Sequence, residues 1–296
     1  RYNESTEKIL SILNRGIILP DDLSITIDDM LVCVYNQLDN IKSLQAAFSM
    51  AIWDWWSQKN NKSLFDLLGY KRKVLPHTSF TIAIGNINDI EKKIEEAKPY
   101  DILKVKLGTP NKDKEIIKEI RKYTDKMIRV DANEGWDYVT ALDMCKWLSD
   151  QNVEFIEQPF PAEELEKSKK LTKLSPLDIY ADENSMLSKD IEQIKSSFDG
   201  INIKLMKCGS IEEAIVMIKE AKKNGLKIML GCMVETSIGI TAASHLASEV
   251  DKIDLDGNLL IKNDPYSGVR IVNGRLVIPN LNGLGIKLKI KHDNLL

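Results

Sequence analysis

From Val74 onward the apolar residues leave helical spacing and gather into short runs, each followed by a stretch with one apolar and one polar face. Eight runs are predicted as strands: Thr78–Ile84, Ile102–Leu107, Met127–Asp131, Val153–Glu157, Ile179–Asp182, Gly200–Met206, Lys227–Val234 and Lys252–Asp256. Between them Lys112–Tyr123, Tyr138–Leu148 and Ile211–Lys223 repeat apolar residues every three or four positions, as a helix with one buried face does. Strand and helix in alternation predict an α/β fold whose right-handed crossovers wind a parallel β/α barrel over residues 74–257.

Before Val74 the period is helical. Asn3 or Ser5 can cap a first helix with Ile9, Leu10, Ile12 and Leu13 on its apolar face. A second follows Asp28-Asp29 with Met30, Leu31, Val34 and Leu38, and a third runs from Lys42 to about Lys59. Trp53, Trp55 and Trp56 fall in that third helix, where their spacing suits packing better than a ligand platform. Residues 1–73 are therefore read as a helical accessory region. After Asp256 regularity ends, and Asn273-Gly274 between two β-rich runs signals a hairpin, so residues 258–296 are expected to return to that region.

Alternation along the strands decides which side chains meet. Neighbouring residues of a strand face opposite sides, and the uniformly apolar side must pack on the helices. Leu103, Val105 and Leu107 pack outward, so Lys104 and Lys106 point inward. Ile201, Ile203 and Leu205 do the same for Asn202, Lys204 and Met206, which leaves Lys207 with the wrong parity, at the start of a loop. Ile253 and Leu255 leave Asp254 and Asp256 inside. Asp131, Glu157 and Asp182 close three successive strands, 26 and 25 residues apart. In a parallel barrel all these ends open on one face.

Composition narrows the function by exclusion. The net charge of −3 supplies no basic field for nucleic acid or an anionic membrane, and no apolar run is long enough to span a bilayer. Arg1-Tyr-Asn-Glu lacks the apolar core of a signal peptide. The four scattered cysteines (Cys33, Cys145, Cys208 and Cys232) read as free thiols of a reducing cytosol, so a cytoplasmic protein is expected.

Three carboxylates at one level are costly unless a cation neutralises them. With no His or Cys beside them they favour Mg2+ over Zn2+. Lysines on strands two and six would flank a substrate carboxylate held there, a lysine on each face of its α-carbon, suited to moving a proton through a metal-stabilised enediolate. The like charge of Lys104 is expected to depress the pKa of Lys106. Glu183 and Glu235 are expected beside the lysines. His77, His245 and His292 read as packing or surface residues, and Gly283-Leu-Gly285 is a weak dinucleotide signal.

Lys104-Val-Lys106, Arg129-Val-Asp-Ala-Asn133, Ile156-Glu-Gln-Pro159, Ala181-Asp-Glu183 and Asn202-Ile-Lys-Leu-Met-Lys207 together resemble the motif set of the enolase superfamily, muconate-lactonising subgroup. The resemblance implies a (β/α)7β-type TIM barrel with an α+β capping domain, whose leading strands and specificity loop are expected to precede the start of this sequence. It implies Asp131, Glu157 and Asp182 as Mg2+ ligands and Lys106 and Lys204 as the acid/base pair. Asp254-Leu-Asp256 is similar to the paired acid with which dipeptide epimerases hold a substrate ammonium. By the same resemblance Lys104 contacts the substrate carboxylate, main-chain carbonyls of Cys232 and Val234 help with the ammonium, and Thr81 touches the peptide. An L-Ala-Glu-type dipeptide, as in murein-peptide recycling, is the implied substrate. Sister activities on the same scaffold (muconate cycloisomerase, acylamino-acid racemase, succinylbenzoate synthase) and a non-catalytic binding barrel are the alternatives; assembly into a homo-oligomer is left open.

Overall fold

A computed structural model describes residues 4–21, 24–71, 74–83 and 85–289. Its centre is one sheet of eight parallel strands in chain order: β1 (Ser79–Ile82), β2 (Ile102–Lys106), β3 (Met127–Asp131), β4 (Val153–Glu157), β5 (Asp178–Ala181), β6 (Gly200–Lys204), β7 (Lys227–Gly231) and β8 (Lys252–Ile253). A parallel bridge between Thr78 and Ile253 brings β8 back to β1, so the barrel is nearly closed. The outward residues behave as alternation requires: Leu103, Val105, Leu107, Ile201, Ile203, Ile253 and Leu255 are all buried in one core with the surrounding helices.

Those helices are α1 (Thr6–Asn14), α2 (Ile27–Tyr35), α3 (Lys42–Lys59), α4 (Leu64–Leu67), α5 (Ile90–Glu96), α6 (Pro110–Arg121), α7 (Tyr138–Ser149), α8 (Leu165–Leu174), α9 (Ile191–Ile194), α10 (Leu205–Cys208), α11 (Ile211–Lys223) and α12 (Ser237–Ser244). The tail adds four short strands, β9 (Tyr266–Ser267), β10 (Arg270–Val272), β11 (Arg275–Val277) and β12 (Lys287–Leu288). No helix among the described residues is long and apolar enough to cross a membrane. All four cysteines are free.

Several strand ends differ from the sequence reading: β2 stops at Lys106 rather than Leu107 and β5 at Ala181 rather than Asp182. The run expected to reach Met206 stops at Lys204 and turns into α10, closed by Gly209 at φ 90°, a left-handed position suited to glycine. The seventh strand ends at Gly231 rather than Val234. β8 keeps only Lys252–Ile253 because the next residues bond to β1 by side chains instead of a ladder. Ser79 Oγ donates to Asp254 Oδ1 at 2.6 Å, the Thr81 N–H to Asp256 Oδ2 at 2.6 Å, and the Leu255 N–H to Thr78 Oγ1 at 2.8 Å. The first strand is Ser79–Ile82 within the expected Thr78–Ile84, whose last residue lies outside the described residues.

The N-terminal helices dock through a polar knot. Ser49 Oγ and Trp53 Nε1 each donate to Glu212 Oε2 at 3.0 Å, and Tyr35 donates its hydroxyl to the other oxygen, so α2 and α3 are tied to the first turn of α11. Trp53 thus anchors rather than stacks on a ligand, while Trp55 and Trp56 lie tilted at 5.7 Å beneath the Lys59 ammonium. In α1, capped by Ser5, only Ile12 is fully buried, and Leu10 and Leu13 are exposed; Asn3, the other expected cap, lies outside the described residues. α2 begins a turn earlier than expected, capped by Thr26.

The tail hairpin forms at Asn273-Gly274, both at positive φ (49° and 70°), the geometry of a tight two-residue turn. Gly283-Leu-Gly285 is a docking turn, not a nucleotide loop. The Leu64 N–H donates to the Gly283 carbonyl at 2.9 Å, and the Leu284 N–H to Asp54 Oδ1 at 2.6 Å. His245, fully buried, completes this seam: its Nδ1 accepts from the Phe65 N–H at 3.1 Å and its Nε2 faces the Leu284 carbonyl at 3.1 Å. Burial pushes its pKa down to about 4, so it packs as the neutral ring. His77 pairs with Asp101 at 2.6 Å, and His292 lies outside the described residues.

Candidate active site at the barrel mouth

Register carries the acids to one level. Lys106 lies opposite Asp131, and Asp131 opposite Glu157, while Asp182 follows the last residue of β5. Gln158, held at φ 40° just past β4, accepts the Asp182 N–H on its Oε1 at 2.8 Å and so fixes the start of the loop after β5. Asp131, Glu157 and Asp182 are buried, and each offers an oxygen within 4.8 Å of the others. Three hard oxygens with no soft or nitrogen donor suit a Mg2+-like cation and leave coordination positions open.

Each acid is also met by lysines. Lys104 Nζ lies 2.7 Å from Glu157 Oε2, 2.9 Å from Asp254 Oδ2 and 3.2 Å from Asp131 Oδ2. Lys106 Nζ, about a quarter exposed, is 2.6 Å from the same Asp131 oxygen. Lys204 Nζ is 2.7 Å from Asp182 Oδ2 and 3.8 Å from Glu157 Oε1. Asn202 Nδ2 donates to Glu157 Oε1 at 2.7 Å, packed against Gly231, where a Cβ would come within 2.4 Å of the amide.

Burial and charge pull these groups in opposite directions. Burial alone would lower the pKa of Lys104, but Asp254, Glu157 and Asp131 outweigh it and raise it well above the usual lysine value. Lys204 is likewise raised, burial being overcome by Asp182 and Glu157. Asp182 is held well below the carboxylate range because Lys204 and Lys207 outweigh its burial, whereas burial and Asp131 raise Glu157. Lys104 and Lys106 thus share one oxygen, Asp131 Oδ2, at 3.2 and 2.6 Å.

The acid pair on the other wall is quieter. Asp254 is shared between Lys104 and Ser79, and its pKa falls to about 2, the effect of burial being outweighed by Lys104. Asp256 accepts from the Thr81 N–H, and burial next to Asp254 pushes its pKa up to about 6. One cavity of about 490 Å³ joins the two acid groups, lined by Lys104, Lys106, Asp182, Lys204, Asp254 and Asp256, with Thr81, Cys232 and Val234 around them. Cys232 donates its thiol to the Asp254 carbonyl at 3.2 Å, and Val234 stands exposed at the rim.

Two side chains were legible only in part. Glu235 accepts the Met233 N–H at 2.8 Å; burial raises its pKa to about 7, with Lys204 close enough to oppose the rise. Glu183 is among the charges that act on Lys207. Lys207 is the larger correction. Read as a loop residue with the wrong parity, it lies in α10, almost fully buried, with its Nζ 2.5 Å from Asp182 Oδ1. The strand ends before it, so the alternation used to discard it no longer applies.

The barrel and its mouth define a class. Residues 89–292 match the family described as Enolase C-terminal domain-like, and the chain belongs to it, within the enolase superfamily and its muconate-lactonising subgroup. The chain is 39% identical over 285 residues to an L-Ala-D/L-Glu epimerase of Bacteroides thetaiotaomicron, covering 96% of this chain and 74% of that one. The substrate-liganded L-Ala-D/L-Glu epimerase of Bacillus subtilis superposes with a TM-score of 0.88 at 30% identity, covering 96% and 84% of the two chains. A dipeptide epimerase of Cytophaga hutchinsonii complexed with Mg and D-Ala-L-Val superposes with a TM-score of 0.89 at 25% identity, covering 99% and 83%. The particular protein is an epimerase, an isomerase of this superfamily.

Proposed function

We propose that this epimerase is Mg2+-dependent and inverts the α-carbon of the C-terminal residue of an L-Ala-Glu-type dipeptide. The observation that carries the reading is the order of groups around the ring. β2 and β6 are four strands apart in an eight-stranded barrel, as are β4 and β8, so the lysine pair and the two acid groups form a cross. A dipeptide laid along one arm has its carboxylate at Asp131, Glu157 and Asp182 and its ammonium at Asp254 and Asp256. Its C-terminal α-carbon then lies on the other arm, between Lys106 and Lys204.

Asp131, Glu157 and Asp182 would hold the metal, which supplies Lewis-acid stabilisation of the charge that develops on the substrate carboxylate. One of Lys106 and Lys204, as the neutral amine, takes the α-proton; the other, as the ammonium, returns one from the opposite face. Lys104 balances charge between the two acid groups and contacts the substrate carboxylate, and Thr81, Cys232 and Val234 border the peptide. The similarity to dipeptide epimerases supports the substrate class, and cytoplasmic recycling of murein peptides is the role it suggests. A panel of dipeptides and N-acylamino acids with Mg2+, followed by chiral chromatography, tests this. Epimerisation of Ala-Glu at the highest rate is expected; faster racemisation of N-acylamino acids would contradict it.

A further inference from the structure

Asp182 is held from two sides by lysines three residues apart. Lys204, at the end of β6, takes Oδ2 at 2.7 Å from inside the barrel. Lys207, one helical turn on, takes Oδ1 at 2.5 Å and also donates to the carbonyls of Asp182 at 2.6 Å, Asn202 at 3.0 Å and Ser185 at 3.4 Å. The two ammoniums differ in access. Lys204 lines the cavity; Lys207 does not, and is 1% exposed.

We propose that Lys207 is a positioning residue for the metal site, the fixed cation that holds Asp182 in place while Lys204 stays free to move a proton. An ammonium with four oxygen acceptors, two of them on the residue it orients, is locked in place. It ties the end of β5 to the end of β6, alongside Ser185 Oγ, which donates to the Asp182 and Asn202 carbonyls at 3.2 and 3.1 Å. With Oδ1 held from outside, Oδ2 is the oxygen left to face the cavity. Lys204 can exchange its bond to that oxygen for a cation or substrate without leaving Asp182 unpaired. Partners behind a metal ligand commonly set affinity by about 10–100-fold.

The inference rests on Asp131, Glu157 and Asp182 being a metal site, so the test begins with the wild type. Mg2+ titration by calorimetry, on protein stripped with EDTA, is run for the wild type, Lys207→Met and Lys207→Gln, each with a thermal melt. No Mg2+ binding by the wild type would sink the metal-site reading itself. With that binding present, a rise in Kd of about tenfold or more is expected for Lys207→Met. A smaller rise is expected for Lys207→Gln, which keeps an N–H donor group without the charge. Saturating Mg2+ should recover most turnover in both. A residue that only braced the fold would lower the melting temperature equally with and without Mg2+ and leave Kd within threefold, which would overturn the proposal. If Lys207→Met does not fold, Lys207→Gln decides by the same criterion.

Discussion

Two acid groups face each other across the mouth, and they are built differently. Asp131, Glu157 and Asp182 are crowded, buried and met by Lys104, Lys106, Lys204 and Lys207. Asp254 and Asp256 stand where β8 meets β1 and are held chiefly by neutral donors, Ser79 Oγ and the Thr81 N–H, with Lys104 the one lysine paired to either among the described residues. In the first group four lysines meet three carboxylates. The second has an ionisable carboxylate, Asp256, with little to neutralise it. The difference teaches that one wall suits a doubly charged ion and the other a single ammonium.

The strongest way to break the comparison is to remove the lysines from the arm between the walls. Lys106→Ala and Lys204→Ala should each cut epimerisation by about 10³-fold or more, the scale of general acid–base catalysis. A chiral assay at saturating Mg2+ reads this directly; single variants near wild-type rate would remove the lysines from the chemistry. On the metal wall, EDTA should abolish turnover and Mg2+ restore it, whereas Asp182→Asn should not recover at any accessible Mg2+ concentration.

The other wall predicts a narrower loss. Asp254→Asn should lower kcat/KM for a dipeptide about 100-fold, as expected for truncating a buried charge pair. It should leave any residual turnover of an N-acylamino acid, which lacks the ammonium, nearly unchanged. Equal losses on both substrates would merge the two walls into one. A finer probe is pH. Asp256 is ionised above about pH 6 and neutral below it, so kcat/KM for dipeptides should fall as pH drops through that region. A profile flat from pH 7 to pH 5 would dissociate Asp256 from ammonium binding.

A further effect, on stability rather than turnover, lies outside the mouth. His245 has a folded pKa near 4 against an ordinary value of 6.5, so the unfolded chain takes up the proton first. Stability is complete above about pH 6.5 and is lost as pH falls towards 4, by on the order of 3 kcal/mol. Denaturation of His245→Gln across that range should show a shallower slope than the wild type.

Much of this was legible because a strand has a strict period. Lys104, Lys106, Asn202 and Lys204 are assigned to the interior by their greasy neighbours alone, and the structure puts Lys104, Lys106 and Lys204 on the cavity wall and Asn202 on Glu157. The same argument failed where the strand stopped. Parity excludes Lys207 only if β6 continues past Lys204, and nothing local in Leu205-Met-Lys-Cys announces a helical turn except Gly209 behind it. The seam between β8 and β1 was hidden for a different reason. Its bonds join residues about 175 apart, and side chains replace the ladder that periodicity detects. Long-range polar partners such as Gln158 with the Asp182 N–H, or Glu212 with Trp53, leave no period to read.

The central claim is that two lysines work on opposite faces of one α-carbon, and solvent isotope exchange tests it most directly. The wild type, incubated with Mg2+ and each epimer of Ala-Glu in D2O, should incorporate deuterium at the C-terminal α-carbon of both. Lys106→Ala and Lys204→Ala should each retain exchange of one epimer, and not the same one, while the double variant exchanges neither. Exchange that persists in the double variant, or single variants that favour the same epimer, would contradict the account.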